Sequence, residues 1–438
     1  MAVQGPMLWL SVHPCRGLVD EKIKVLVQHA APVQRLTVHT LFRSEDGDDW
    51  EAFGHYVSDS AGAVDADDGP RADLEAEPIW YLHRAVQRIP AHIGGPSTIG
   101  IGGLLFTLSE DVCLGGTYSG HEPMGLLWSL RPVPGSRPSL RFRKKDTGTP
   151  MLVTISLHQG FLSDSFTERL PLASRVVERW YMAPGVRRVE LTEGGVTGTL
   201  FLPPGPGQFP AVLDLPGGGR SLPEARAVLL ASHGFVTLAL NYLNPRRTAG
   251  GEYHVGNDYF QTAFSVLQTH PQVIRERIAI VGLSFGASMA LGLSVYSPTI
   301  KPSCLVSISG SHVQPAGGSL GDIFAEFKKN EKNTRYDEEK RVIWHDLLLP
   351  IPSNPSKKVD VGQLCCPLLL IVGEDDQNWP AEESASDMKE MMEMSGNGHL
   401  LTVLSYPDTG HLIEPPYSPH CRSSNFINAE SREKYPPR

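Results

Sequence analysis

A pentapeptide of the form G-x-S-x-G is the strongest candidate for chemistry in this 438-residue chain. It comprises residues 282–286, GLSFG, directly after an apolar run that ends at Val281 and directly before the small residues of 287–294. A strand before and a helix after are the context of a nucleophile elbow, where glycines permit a sharp turn and the serine hydroxyl projects above the sheet. Because the chain has 43 glycines, the pentapeptide alone can arise by chance. Its context favours Ser284 as a nucleophile.

A serine hydroxyl is a weak nucleophile at neutral pH and requires a base and an orienting acid, here in the chain order serine, acid, histidine. The apolar run 367–372 leads into the loop GEDDQNWP, where such a strand reaches the ligand-binding edge of its sheet. Asp376 is the predicted acid because of its register in the G-x-x-D pattern of hydrolase loops. Asp375 is the alternative acid, and both carboxylates are also common as turn-forming or helix-capping groups.

His411 is the predicted base. It follows the strand-like run 400–406 and a Pro-Asp-Thr-Gly turn, 127 residues after Ser284 and 35 after Asp376. A lone loop histidine is more often a surface residue, but the base of such a triad belongs past what reads as the last strand. The nearest alternative, His420, lies beyond three prolines in a stretch with no strand to hold it.

An oxyanion hole requires two backbone N–H groups directed at the developing negative charge. The amide of Phe285, directly after the nucleophile, is the first predicted donor. The second is expected in the glycine run after the early strand 211–215, at Gly217, Gly218 or Gly219, with Gly217 as our choice. Glycine permits close backbone approach, although such a run is also typical of a flexible turn.

The elements that would position these residues change in kind along the chain. From residue 22 to about 158, short β-type runs such as IKVLVQ and MLVTISL are separated by turns, which predicts an antiparallel sandwich. After Met182, buried-type strands alternate with helix-compatible stretches at 223–232 and 258–270, which predicts a mostly parallel sheet with helices on both faces. We therefore predict an all-β sandwich domain over residues 1–182 and an α/β-hydrolase catalytic domain over residues 183–438.

Composition excludes several other classes of protein. The balance of 39 Lys+Arg against 48 Asp+Glu gives a formal charge of -9. This sign is unfavourable for binding nucleic-acid phosphates over a broad surface. No run of about 18 apolar residues occurs, so no membrane-spanning helix is expected. Six scattered cysteines show neither metal-site spacing nor disulfide density, and no signal peptide precedes them, which together favour a reducing cytoplasmic compartment.

Longer motifs occur in both halves of the chain. They are GGTYSGHEPMGLLWSLRPVPGSR, YMAPGVRRVEL, TLFLPPGPGQFPAVLDLPG, LIVGEDDQNW and YPDTGHLIEPPY. In these motifs the sequence resembles the acyl-coenzyme A thioesterases that share a family with bile acid-CoA:amino acid N-acyltransferase. The resemblance implies an acyl-CoA substrate and places Ser284, Asp376 and His411 on the family's triad positions. It also favours hydrolysis, because the transferase carries cysteine where the thioesterases, like this chain, carry serine.

Two departures accompany the resemblance. Residues at about 65–109, which include a glycine-rich stretch at 91–103, exceed an ordinary loop and predict an insertion. The chain also stops soon after HLIEPPY, where family members continue into a final helix, so we expect a truncated catalytic domain. The S-K-L type of peroxisomal signal is absent, which makes the cytoplasm the default, with the peroxisome as the alternative if the native C-terminus differs.

The leading hypothesis is hydrolysis of acyl-CoA thioesters to free fatty acid and CoA through a serine acyl-enzyme intermediate, a reaction that needs no metal or cofactor. Transfer of the acyl group to glycine or taurine is the first alternative. An inactive truncated scaffold is the second.

Overall fold

A computed structural model describes most of the chain as two compact units. The described residues are 8–58, 106–107, 112–137, 140–218, 222–243, 255–315, 320–419, 421–424, 426–427 and 434–435. The first unit contains the described residues up to Tyr181 together with Pro415–Cys421. The second contains Met182–Glu414 and the described residues from 422 onward.

The first unit is built from β-strands in two sheets. Its strands are β1 (Trp9–His13), β2 (Arg16–Leu18), β3 (Lys24–Gln28), β4 (Arg35–Arg43), β5 (Asp49–Val57), β6 (Phe106–Thr107), β7 (Arg131–Pro132), β8 (Met151–Gln159) and β9 (Ala173–Trp180), with a short helix α1 (Gly125–Trp128) before β7. One sheet has the order β1-β3-β6 and the other β2-β9-β8-β4-β5-β7. All pairings are antiparallel except that of β2 with β9. The predicted β-rich N-terminal region is confirmed.

Most of the predicted insertion at 65–109 lies outside the described residues. Within it, Phe106 and Thr107 form β6 and pair with Val27 and Leu26 of β3. These two residues therefore belong to the three-stranded sheet.

The second unit contains an eight-stranded sheet of order β10-β11-β13-β12-β14-β15-β18-β19. Its strands and those of two small hairpins are β10 (Arg187–Leu191), β11 (Gly198–Leu202), β12 (Phe209–Leu215), β13 (Val236–Leu240), β14 (Val273–Leu283), β15 (Cys304–Ile308), β16 (Arg335–Tyr336), β17 (Val342–Ile343), β18 (Leu368–Gly373), β19 (Leu401–Tyr406), β20 (Phe426–Ile427) and β21 (Lys434–Tyr435). Strands β10 and β11 run antiparallel to their neighbours, and the other six strands of the large sheet are parallel.

Helices cover both faces of the large sheet. They are α2 (Ala225–Ser232), α3 (Asn257–Thr269), α4 (Phe285–Tyr296), α5 (Leu320–Lys329) and α6 (Ala381–Met394). Successive residues of a central strand enter opposite apolar clusters: Leu213 of β12 lies in one and Val212 in the other. Burial on both faces explains the uninterrupted apolar runs of these strands. The predicted α/β-hydrolase fold is confirmed, and no helix in the described ranges is long and apolar enough to cross a membrane.

Candidate active site

Ser284 lies in the turn between β14 and α4, at the carboxyl end of a central strand. Its φ of 57° and ψ of -121° form a conformation that residues other than glycine rarely adopt. Its amide donates a hydrogen bond to the Ile308 carbonyl at 2.9 Å, and its own carbonyl accepts from the amides of Ala287 and Ser288. Contacts on both sides therefore hold the backbone in this unusual geometry.

Close packing explains the two glycines of the pentapeptide. A Cβ atom on Gly282 would overlap the backbone of Gly286 and Ala287. A Cβ atom on Gly286 would overlap the carbonyl oxygen of Leu215 at the end of β12. The glycines are therefore required because backbone segments approach each other closely around the turn.

His411 lies between Ser284 and Asp376. Its Nε2 is 2.8 Å from Ser284 Oγ, and its Nδ1 is 2.8 Å from Asp376 Oδ2 and 3.0 Å from Oδ1. All three residues are buried, with 6% of Ser284 and 3% of each partner exposed. Because Nδ1 faces two carboxylate oxygens, it carries a proton, which leaves Nε2 to accept the proton of the serine hydroxyl.

The loop after β18 separates the two candidate acids. Asp376 Oδ1 also accepts hydrogen bonds from the backbone N–H groups of Asn378 at 2.9 Å and Trp379 at 3.0 Å. Asp375 is exposed, and its carboxylate accepts instead from the side-chain amide of Gln377 at 2.8 Å. The structure thus brings Asp376, and not Asp375, to the imidazole.

The topology explains why residues so distant in sequence meet. Ser284, Asp376 and His411 follow β14, β18 and β19, which are parallel members of one sheet and end at the same edge. Gly217 follows β12, the neighbour of β14, and a Cβ atom added to it would lie 3.2 Å from the Cβ of Ser284. The backbone of Gly217 therefore lies beside Ser284. The alternatives His420 and Gly219 lie outside the described residues.

An aromatic group that was not predicted from the sequence lies beside this site. The ring of Phe285 lies 5.2 Å from Phe327 of α5 and 5.1 Å from Trp379, which in turn is 4.8 Å from Phe327. Trp379 also lies nearly parallel to the His411 imidazole, at a centroid distance of 6.4 Å. The position of Trp379, three residues after Asp376, is a usable sequence signal, whereas nothing local marks Phe327.

A second, partly buried polar cluster in this unit comprises His312, Lys358 and Asp387. His312 Nε2 is 2.7 Å from Asp387 Oδ2, and Lys358 Nζ donates to both Asp387 oxygens at 2.8 and 2.7 Å. Hydrogen bonds from His312 and Lys358 lower the pKa of Asp387 to about 2, whereas burial lowers the pKa of His312. Nowhere in the part of the chain that the structure describes do three His, Cys, Asp or Glu side chains form a group able to hold a metal ion.

Two family models match the chain. The model described as BAAT / Acyl-CoA thioester hydrolase C terminal matches residues 255–435. The model described as Acyl-CoA thioester hydrolase/BAAT N-terminal region matches residues 20–71 and 105–193. Together they span most of the chain, and residues 72–104 between the two N-terminal segments fall inside the predicted insertion. The chain belongs to this family.

Individual members of the BAAT/acyl-CoA thioester hydrolase family are similar over nearly the full length. Acyl-coenzyme A thioesterase 3 of Mus musculus is 32% identical, over 94% of this chain and 85% of its own. The mouse peroxisomal succinyl-coenzyme A thioesterase is 33% identical, over 95% and 88%. The mouse bile acid-CoA:amino acid N-acyltransferase is 30% identical, over 96% and 90%. The resemblance predicted from the sequence motifs is confirmed.

Proposed function

We propose that this protein hydrolyses acyl-CoA thioesters to a free carboxylic acid and CoA through an acyl-enzyme on Ser284. The observation that carries the proposal is the series of buried hydrogen bonds from Asp376 through His411 to the Ser284 hydroxyl. Family membership supports acyl-CoA as the substrate class.

In the acylation step, Ser284 Oγ attacks the carbonyl carbon of the thioester while His411 Nε2 takes its proton. The imidazolium that forms is stabilised by the Asp376 carboxylate at Nδ1. Collapse of the tetrahedral intermediate breaks the carbon–sulfur bond. The proton on His411 then goes to the departing CoA sulfur, which leaves as the thiol.

The negative charge on the carbonyl oxygen needs donors at the sheet edge. In our proposal the amides of Phe285, the first residue of α4, and Gly217 supply them. The close approach of Gly217 to Ser284 supports the second assignment. Two preorganised amides stabilise the intermediate more than the ground-state carbonyl, which is the requirement for catalysis.

Deacylation repeats the chemistry with water. His411 Nε2 takes a proton from a water molecule as its oxygen attacks the serine ester, and collapse of the second intermediate returns the proton to Ser284 Oγ. The products are the free acid and regenerated enzyme. The apolar surface formed by Phe285, Phe327 and Trp379 beside the nucleophile suits an acyl chain more than a polar substrate.

Transfer to an amino acid is the second candidate function. The similarity to a relative named as an N-acyltransferase favours it. The serine at the elbow argues against it, because a serine ester is less reactive toward an amine than a thioester, whereas activated water still cleaves it. We therefore place hydrolysis first.

An assay of purified protein with long-chain acyl-CoA, with and without glycine or taurine, tests the proposal. We expect CoA and free acid in equal amounts under both conditions. Amide as the main product would support the transferase, and no CoA release would support the inactive scaffold. The Ser284→Ala variant is the control, since it should lose the activity by several orders of magnitude.

The cytoplasm is our proposed compartment. The proposal rests on the composition of the sequence, and one relative is named as a peroxisomal enzyme. Imaging of an N-terminal fluorescent fusion beside a peroxisomal marker tests it. Diffuse signal is expected, and co-localisation with the marker would contradict it.

A further inference from the structure

The Pro216 carbonyl and the Gly217 N–H belong to one peptide unit, and a buried tyrosine holds its oxygen. The hydroxyl of Tyr242, two residues after β13, donates to the Pro216 carbonyl oxygen at 2.5 Å. Tyr242 is 1% exposed. A trans peptide unit is planar, so its C=O and N–H point in opposite directions. A hydrogen bond that fixes the oxygen therefore also fixes the direction of the Gly217 N–H.

The preceding peptide unit is held as well. Arg226 of α2 donates through Nε to Asp214 at 2.7 Å and through Nη2 to the Leu215 carbonyl at 3.4 Å. Asp214 is the penultimate residue of β12 and is 1% exposed, so the ion pair joins α2 to the end of β12, the two elements that the loop connects. On the other side, Gly286 packs against the Leu215 carbonyl so closely that a Cβ atom would overlap it.

We propose that Tyr242, assisted by Arg226, is a positioning residue of the oxyanion hole that acts through the Pro216–Gly217 peptide. The inference rests on the proposed function, in which the Gly217 amide binds the oxyanion. Tyr242 acts in two ways. It sets the direction of the amide before substrate arrives, and its hydrogen bond polarises the peptide, which makes the N–H a stronger donor to the developing charge.

The tyrosine is suited to this role across the working pH range. Burial raises the pKa of Tyr242 well above its usual value, so the hydroxyl remains a donor. A phenylalanine would preserve the ring packing against Phe260, whose centroid lies 5.5 Å away, and would remove only the donor.

The test is the Tyr242→Phe variant, assayed by steady-state hydrolysis of a long-chain acyl-CoA. We expect kcat to fall roughly five- to tenfold, the amount that corresponds to one neutral hydrogen bond. KM should stay unchanged, since the amide acts mainly on charge that develops in the transition state.

A second readout separates positioning from structural support. A long-chain alkyl trifluoromethyl ketone forms a hemiketal oxyanion on the serine, and its affinity should fall by the same factor as kcat/KM. If Tyr242 only supports packing, the substitution will lower the unfolding midpoint while the folded enzyme keeps its kcat and inhibitor affinity. That result would overturn the proposal.

Two further variants keep the test decisive. Arg226→Lys retains a cation beside Asp214 but loses the hydrogen bond from Nη2 to the Leu215 carbonyl. We expect kcat to fall, by less than in Tyr242→Phe. Arg188→Gln is the matched control because it removes an ion pair with Glu224, directly before α2, and Arg188 has no hydrogen bond to Pro216 or Gly217 among the described residues. Its kcat should equal that of the wild type. If Tyr242→Phe does not fold, an Arg226→Lys enzyme with wild-type kcat and inhibitor affinity would overturn the proposal.

Ser284→Ala is measured in the same series. A wild-type protein without hydrolase activity, or an Ser284→Ala variant that equals it, would refute the proposed function itself. An active wild type that depends on Ser284, together with a folded Tyr242→Phe variant of full activity, would refute only the role of Tyr242.

Discussion

Nδ1 of His411 lies 2.8 Å from Oδ2 of Asp376, and both side chains are buried. Burial matters because water competes little for this hydrogen bond, so the carboxylate can fix both the tautomer and the orientation of the imidazole. Two backbone amides from the same loop hold the carboxylate in turn. The loop after β18 therefore positions the carboxylate and, through it, the imidazole.

The Asp376→Asn variant should lose about 10⁴-fold in kcat, because an amide at this position favours the wrong imidazole tautomer. Asp375→Asn is the matched control, since its carboxylate is exposed and accepts a hydrogen bond from Gln377 instead of facing the imidazole. Its kcat should change little. Equal losses in the two variants, measured with one acyl-CoA, would refute the assignment of the acid.

The partition between hydrolysis and transfer should depend on whether the acyl group is bound to oxygen or to sulfur at position 284. Wild-type enzyme should give free acid even with abundant glycine or taurine. The Ser284→Cys variant forms a thioester, which amines attack more readily, so a larger share of product should be amide. Product analysis by mass spectrometry measures the ratio. An amide fraction that does not rise in the variant would contradict this chemistry.

Much of this site could be predicted from the sequence because its signals are local. The candidate nucleophile, acid and base each lie within five residues of the end of an apolar run, and their chain order predicts that they meet at one edge of the sheet. Phe327 and Tyr242 could not be found in this way, because their roles depend on contacts between separate elements. No spacing along the chain reports such contacts.

The fold also has parts that the sequence pattern predicts and parts that it does not. The apolar run that ends at Val281 predicts only the second half of β14, whereas the strand begins at Val273. Its first half contains Arg275, Glu276 and Arg277, which are exposed or half-buried, so the hydrophobic pattern does not detect it.

Stability should fall below about pH 6.5 in part because of His312. Burial lowers the pKa of His312 in the folded state. The negative charge of its partner Asp387 is balanced by Lys358, which donates to both carboxylate oxygens. His312 therefore takes up a proton at a higher pH in the unfolded chain than in the folded chain. The resulting loss of stability is absent above the unfolded pKa and grows as the pH falls below it.

Urea unfolding of wild type and His312→Gln at about pH 7.5 and 5.5 measures this effect. The variant should lose less stability between the two values than the wild type. His399→Gln, which removes an exposed histidine of the same unit, should behave as the wild type. An identical loss in wild type and His312→Gln would show that His312 does not contribute.

Replacement of residues 72–104 by a flexible Gly-Ser linker of roughly ten residues should leave the unfolding midpoint and kcat unchanged. The reason is that the family's N-terminal model matches the chain on both sides of this stretch. Extending the deletion through Thr107 should lower the midpoint, because β3 then loses its pairing with β6. Loss of folding in the shorter deletion would show that residues 72–104 are structural.

The most direct test of the central claim is to trap the acyl-enzyme. Wild-type protein is mixed with long-chain acyl-CoA, quenched in acid within the first turnover, and digested for peptide mass spectrometry. We predict one acyl group, replacing the hydroxyl proton, on the peptide that contains Ser284, and no adduct in Ser284→Ala. An acyl group on another residue, or continued turnover by Ser284→Ala, would contradict the account.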